Sequence, residues 1–307
     1  VSRAWVAASV RSRALARRRL GPAGARRIAA SASADEAIAL LAETSYGHDV
    51  RAGDTMGQAQ HALGGAVLWN LRVLGGWVPR SGVAALRALA AAFEVANIDE
   101  HLRSLHGEVT GPTYRLGSFA TAWPRLVATT NVHDLRQVLA TSEWGDPGSD
   151  GSRTVGLYLR MTWLARVART LPMTSDWLQA AAALIVAREW MLGAAGIPDT
   201  VGTAAEPLLG SAWREAPRSS SGVPELATDV AWVFAGVAGP ADLWRAEARF
   251  WRHVEGDAFT LLRGSSFDIV PTACALALLA ADAWRVRAAL ETAAGRHDDL
   301  GLFDAVA

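Results

Sequence analysis

Apolar residues recur at helical intervals along most of this chain. Between Ala91 and Leu105, the residues Val95, Ile98, Leu102 and Leu105 share one face, and the pattern predicts a helix over 83–105. Asp99 and Glu100 stand four and three residues ahead of Arg103, so their charges are placed to pair with it on the solvent side. Asn97 follows Phe93 by four and reads in two ways: an amide at the buried edge that needs partners, or one at the solvent boundary. Further helices are predicted over 56–78, ended by Pro79, over 155–171, ended by Pro172, and over 176–191. Another passes through Phe119, Trp123, Leu126 and Val127, and three more cover 226–237, 241–262 and 272–294. An opening helix places Trp5, Val6, Val10 and Leu15 on one face and ends before Gly21-Pro22. Gly57, Gly64-Gly65 and Gly75-Gly76 weaken the 56–78 helix but permit close helix contact. The alternation that strands require is absent, so the fold class is all-α.

One unit recurs. Ser33-Ala-Asp-Glu36 and Asn131-Val-His-Asp134 both read as capping boxes opening a helix. With Gly47 set on Gly145, Ser33 falls on Asn131, Glu36 on Asp134 and Tyr46 on Trp144 without a gap. A weaker third copy ends at Leu208-Leu-Gly-Ser-Ala-Trp213. Helical groups repeating at long intervals predict a body of similar subdomains. The expected division is 1–80, completed by 240–307, then 81–152 and 153–239, with 240–307 closing onto the first. Turn-rich links run over 145–151 and 214–222.

Composition narrows the functional classes. At 307 residues the chain is long enough for two or three domains. All 30 basic residues are arginine, and the formal net charge of +0 argues against a nucleic-acid binder. The lone Cys274 lies in an apolar run and reads as a small buried hydrophobe. The longest apolar run, 269–281, is closed by Asp282 before the ~18–20 residues that a bilayer span needs. The expectation is a soluble, cytoplasmic protein. No acid precedes Asp35, and Arg11, Arg13, Arg17, Arg18 and Arg19, extended by Arg26 and Arg27, form a positive patch. It reads either as a solvated helix face or as a contact for acidic protein or lipid head groups.

Motifs for chemistry are sparse. There is no phosphate-binding glycine loop, no His-Glu-x-x-His and no Gly-x-Ser-x-Gly. His101 and His106 are poorly spaced for one face, and His253 with Asp257 lacks a third ligand. Asp298-Asp299 reads as a polar chain end. No catalytic, cofactor-binding or metal residue is assigned. Of the 13 tryptophans, Trp144 and Trp213 close repeats, and those within helices read as packing residues.

The stretch Phe93-Glu-Val-Ala-Asn-Ile-Asp-Glu-His-Leu-Arg103, the Leu116-Gly117 after it and the Leu-x-x-Ser/Thr-x-aromatic stops resemble the C subunit of A/V-type rotary ATPases, called subunit d in eukaryotes. Val10-Arg-Ser-Arg-Ala-Leu-Ala-Arg17 is similar to that family's opening helix. The matching positions are Phe93, Glu94, Val95, Asn97, Ile98, Leu102, Arg103, Thr44 and Tyr46. Ser104 replaces a Gly, Trp144 a Tyr, and Arg188-Glu189 the Asn-Ile pair of the next repeat. The helix around 282–290 lacks the acidic, Asn-bearing pattern of the family. The resemblance implies a pseudo-threefold funnel of helical subdomains without catalysis or cofactors. Its motif residues are Phe93, Glu94, Asn97, Ile98 and Arg103, with Tyr46, Trp144 and Trp213 as stops. Such a protein is a central-stalk socket, coupling rotor-shaft subunits to the membrane proteolipid ring in ion transport. It is peripheral to the cytoplasmic membrane through protein contacts, for which the arginines from Arg11 to Arg19 are candidates. The alternative is a stand-alone all-α scaffold or small-molecule enzyme keeping the fold, with a closed tryptophan-lined pocket.

Overall fold

The computed structural model describes residues 3–192, 196–215 and 228–295. Every regular element among them is helical. The α-helices are α1 (Arg3–Ala16), α2 (Gly21–Ala29), α3 (Ala34–Ala42), α4 (Met56–Gly75), α5 (Arg80–Leu105), α6 (Trp123–Leu126), α7 (Val132–Ala140), α8 (Ser152–Thr170), α9 (Ser175–Met191), α10 (Asp199–Leu209), α11 (Thr228–Ala231), α12 (Leu243–Arg263) and α13 (Val270–Ala293). The chain divides into two compact units, Val1–Leu86 with Trp251–Ala307, and Arg87–Phe250.

In the first unit α13 is the hub. It is apolar on nearly every side, which suits a helix surrounded by others, and α1, α2, α3 and α4 all pack against it. Alanines line much of it and let neighbours approach closely, while Ile28, Ile38, Leu41, Leu63, Leu71 and Leu74 supply bulk from the surrounding helices. Ser12 of α1 hydrogen-bonds the Ala8 carbonyl at 2.7 Å and lies 3.1 Å from the Thr272 hydroxyl, so its polar group is satisfied in the contact.

The second unit is built on α5. Its residues Ala91, Val95, Ile98 and Leu102 pack with Leu126 of α6, Leu135 and Leu139 of α7, Trp144, and Val155 and Leu159 of α8. A second cluster joins Ala180, Ala183 and Ala187 of α9 to Val230, Val233, Phe234, Val237 and Ala246. Among the described residues, α5 is the one helix long and apolar enough to cross a membrane. More than half of its apolar window is buried inside the protein, as in a core helix.

Several expectations are corrected. The segment through Phe119, Trp123, Leu126 and Val127 is a 3-10 turn, Gly117–Phe119, followed by the single turn of α6. The stretch expected as one helix over 226–237 is the short α11 and a 3-10 turn at Trp232–Phe234, with 226 and 227 outside the described residues. Asp99 pairs with Arg160 at 2.5 Å, leaving Arg103 to Glu100 at 3.3 Å. Gly57 and Gly65 make no close helix contact, since a Cβ on either would meet nothing within 4 Å.

Cys274 is fully buried on α13, and burial, aided by the nearby charge of Asp268, pushes its thiol up to about 12. Only the thiolate attacks a disulfide reagent. Native protein at pH 8 should therefore leave an aromatic disulfide reagent unreacted, with one equivalent of thiol released once denaturant opens the first unit. Rapid reaction without denaturant would contradict the packing around α13.

Candidate functional site

Polar residues stand at every third position along one side of α5: Glu94, Asn97, Glu100 and Arg103. After α5 ends, Gly107 turns the chain at a φ of 77°, a conformation that suits glycine. The chain then runs back along the helix as a strap, meeting these side chains in reverse order. Arg103 pairs with Glu108 at 2.9 Å and donates to the Val109 carbonyl at 3.2 Å. Glu100 accepts the Gly111 N–H at 3.1 Å. Asn97, fully buried, donates to the Tyr114 carbonyl at 2.8 Å and accepts the Tyr114 N–H at 2.6 Å. Phe93 packs edge-on to the Tyr114 ring with centroids 5.1 Å apart. Of the two readings of Asn97, the buried one with partners holds. Ile98 points the other way, into the core.

The strap ends at Glu94, whose carboxylate is wholly buried. It accepts the Thr121 N–H and hydroxyl at 2.9 and 2.8 Å, the Ala122 N–H at 2.6 Å and the Trp123 N–H at 2.8 Å. The Trp144 indole N–H reaches it at 3.5 Å. These donors stabilise a charge that burial alone would disfavour strongly. They also explain why 119–127 is not one helix: the backbone donors at 121–123 turn to the carboxylate. Helix α6 has no side-chain cap of its own, and Pro124 follows Trp123 with no N–H to offer.

The same arrangement is built in the first unit around Asp282 of α13. That carboxylate, also fully buried, accepts the Leu20 N–H at 2.9 Å, the Gly21 N–H at 2.8 Å and the Tyr46 hydroxyl at 2.8 Å. Helix α2 likewise lacks a side-chain cap and has Pro22 next. In each unit a distant acid thus takes the two N–H groups ahead of a proline at a helix start, and the aromatic stop donates to it. Burial, reinforced by Asp282, drives the Tyr46 phenol well above its ordinary range, so it remains a donor. Around Asp282 the charges are compensated: Arg285 lies 3.7 Å away and pairs with Glu255. Arg19 lies 4.0 Å from Glu255 and over the Phe259 ring. The helix around 282–290 lacks the Asn of the expected pattern, as its sequence indicates. The acid is present, and three residues on Arg285 stands where Asn97 follows Glu94.

The stops match as well. The Thr44 hydroxyl donates to the Leu41 carbonyl at 2.6 Å and accepts the Tyr46 N–H at 3.2 Å. Ser142 does the same with Leu139 at 2.7 Å and Trp144 at 3.1 Å. Gly145 has a φ of 81°, and a Cβ there would meet the Tyr158 hydroxyl at 2.6 Å. At Gly47 the constraint is the Ala42 carbonyl oxygen, 1.9 Å from such a Cβ. Ser33 and Asn131 cap their helices as expected. The return bonds differ from a capping box: Glu36 accepts from the Ala32 N–H and Asp134 from the Asn131 side-chain amide.

The segment ending at Trp213 does not reproduce the anchor. Trp213 is buried against Trp190, at 5.8 Å between centroids, but its indole N–H has no partner among the described residues. The position comparable to Glu94 is Ile185. Trp190 and Trp213 line a depression of about 220 Å³ together with Asp199 and Arg214. His253 and Asp257 lie 3.2 Å apart, and no group of metal-binding residues of three or more occurs among the described residues. Asp298-Asp299 lies outside them.

The arginine patch divides. Arg13 turns inward, donating to the Leu262 carbonyl at 3.1 Å and the Gly264 carbonyl at 2.7 Å, and Arg19 faces Glu255. Arg11, Arg17 and Arg18 are exposed. The sequence matches no protein-family model and no curated protein.

Replacing Glu94 by Ala would strand the buried donors of Thr121, Ala122, Trp123 and Trp144, at a cost of roughly 3–5 kcal/mol. Glu94→Gln keeps one acceptor oxygen but turns an amide against backbone donors, costing about 2–3 kcal/mol. Urea unfolding followed by circular dichroism should rank the variants in that order. Two variants as stable as the parent would show that the carboxylate does not hold the strap.

Proposed function

We propose that the chain is a non-catalytic central-stalk socket of an A/V-type rotary ATPase, coupling the rotor shaft to the membrane proteolipid ring. In this reading it lies at the cytoplasmic face of the membrane, held there by protein contacts, and its subdomains form a pseudo-threefold funnel. The observation that carries the reading is the carboxylate anchor. The motif that resembles the family, Phe93 to Arg103, uses its polar side chains to bind its own strap and the start of α6. The same anchor recurs around Asp282 with its own aromatic stop.

Side chains so engaged favour a mechanical role over a chemical one. Close packing with satisfied buried groups, as around Glu94 and Asn97, resists deformation, and resistance to deformation is what torque transfer needs.

The test is recovery from membranes. An affinity-tagged chain, expressed in its own cells and extracted in mild detergent, should bring with it ATPase stalk subunits and the proteolipid ring, identified by mass spectrometry. A chain recovered alone from the soluble fraction, with membranes depleted of it, would overturn the proposal and favour the stand-alone scaffold.

A further inference from the structure

Helix α1 has two contrasting sides. Its inner side, with Ala8, Ser9, Ser12, Leu15 and Ala16 buried, packs on α13. On its outer side Arg3, Val6, Val10 and Arg11 fall within ~140° of arc at 3.6 residues per turn. Arg17 and Arg18 follow in the turn beyond. All of these are exposed, with Val6 at 39% and Val10 at 61%. The side chains of the four arginines make no hydrogen bond or ion pair among the described residues. Residues 1–34 hold no acid, although Asp49 lines the same depression as Arg18. Arg13 and Arg19 mark the contrast, because they are held by the fold.

From this we infer that the outer side of α1 rests on an anionic lipid surface. Charge complementarity calls for an acidic occupant. Between the arginines stand valines, where a helix meant only for water would carry polar groups. The surface is the convex side of a single helix, which suits a flat bed of head groups better than a groove-bound peptide. Arginines then meet phosphates, and the valines enter the head-group layer. Valine offers little apolar area, so attraction is mainly electrostatic and falls with salt. The inference adds to the rotary reading without resting on it, since protein-free lipid is the ligand.

The test is co-sedimentation of the purified full chain with vesicles. It should bind vesicles of phosphatidylglycerol and phosphatidylcholine at low salt, release at high salt, and ignore pure phosphatidylcholine. Each arginine changed to Gln should weaken partitioning by about fivefold, and Val10→Asp should weaken it in the same sense. These side chains are exposed and make no hydrogen bond or ion pair among the described residues, so circular dichroism and melting temperature should not change. No binding to anionic vesicles, or equal binding by the variant with Arg3, Arg11, Arg17 and Arg18 all replaced by Gln, would overturn the inference. So would retention on polyglutamate without any vesicle binding, which would assign the face to an acidic protein.

Discussion

Much of the structure depends on how a helix that begins with a proline is capped from far away. The two N–H groups just before Pro22 and Pro124 have no acceptor within their own segments, and neither α2 nor α6 has a side-chain cap. Buried and unpaired, such groups are costly. In each unit a carboxylate on a long core helix supplies the acceptor, and by doing so fixes where the short helix starts relative to the core. The aromatic stop donates to the same carboxylate, so a helix start and a later helix end are tied to one point.

The two units satisfy that carboxylate differently. Asp282 sits among ions, with Arg285, Glu255 and Arg19 near it. Glu94 is surrounded by backbone and side-chain dipoles. Fixed dipoles stabilise a buried charge without desolvating a second ion, whereas the ionic version needs good geometry to offset that penalty. Two of Arg285's nitrogens lack hydrogen-bond partners among the described residues, so the ionic version is less fully satisfied. Ile185 stands at the position comparable to Glu94, and the Trp213 indole has no acceptor among the described residues.

What could be read from the sequence was local. Ser33 and Asn131 act as caps, the stops at Tyr46 and Trp144 form as their spacing requires, and the all-α class follows from helical periodicity. Asn97 stands out in the sequence as a polar side chain interrupting a buried edge. The partners of Asp282 were out of reach, since Leu20 lies 262 residues away and no periodicity links them. One signal was available for α5. Polar residues at every third position, beginning at Glu94, describe a side of the helix that meets a returning strap, buried at Glu94 and open to water by Arg103. A missing cap before Pro22 and Pro124 was a second. The inward turn of Arg13 and Arg19 left no mark in the arginine run itself.

The strap along α5 has a consequence for how this chain can change length. Its contacts at Val109, Gly111 and Tyr114 are locked to Arg103, Glu100 and Asn97 in fixed order. Inserting or deleting a single residue between 109 and 114 would shift the strap out of phase with α5 and strand Asn97 in the interior. Drift there must proceed by replacement at constant length, even though most of the strap's side chains face solvent. An exposed loop usually tolerates the opposite, growing and shrinking freely while its residues vary.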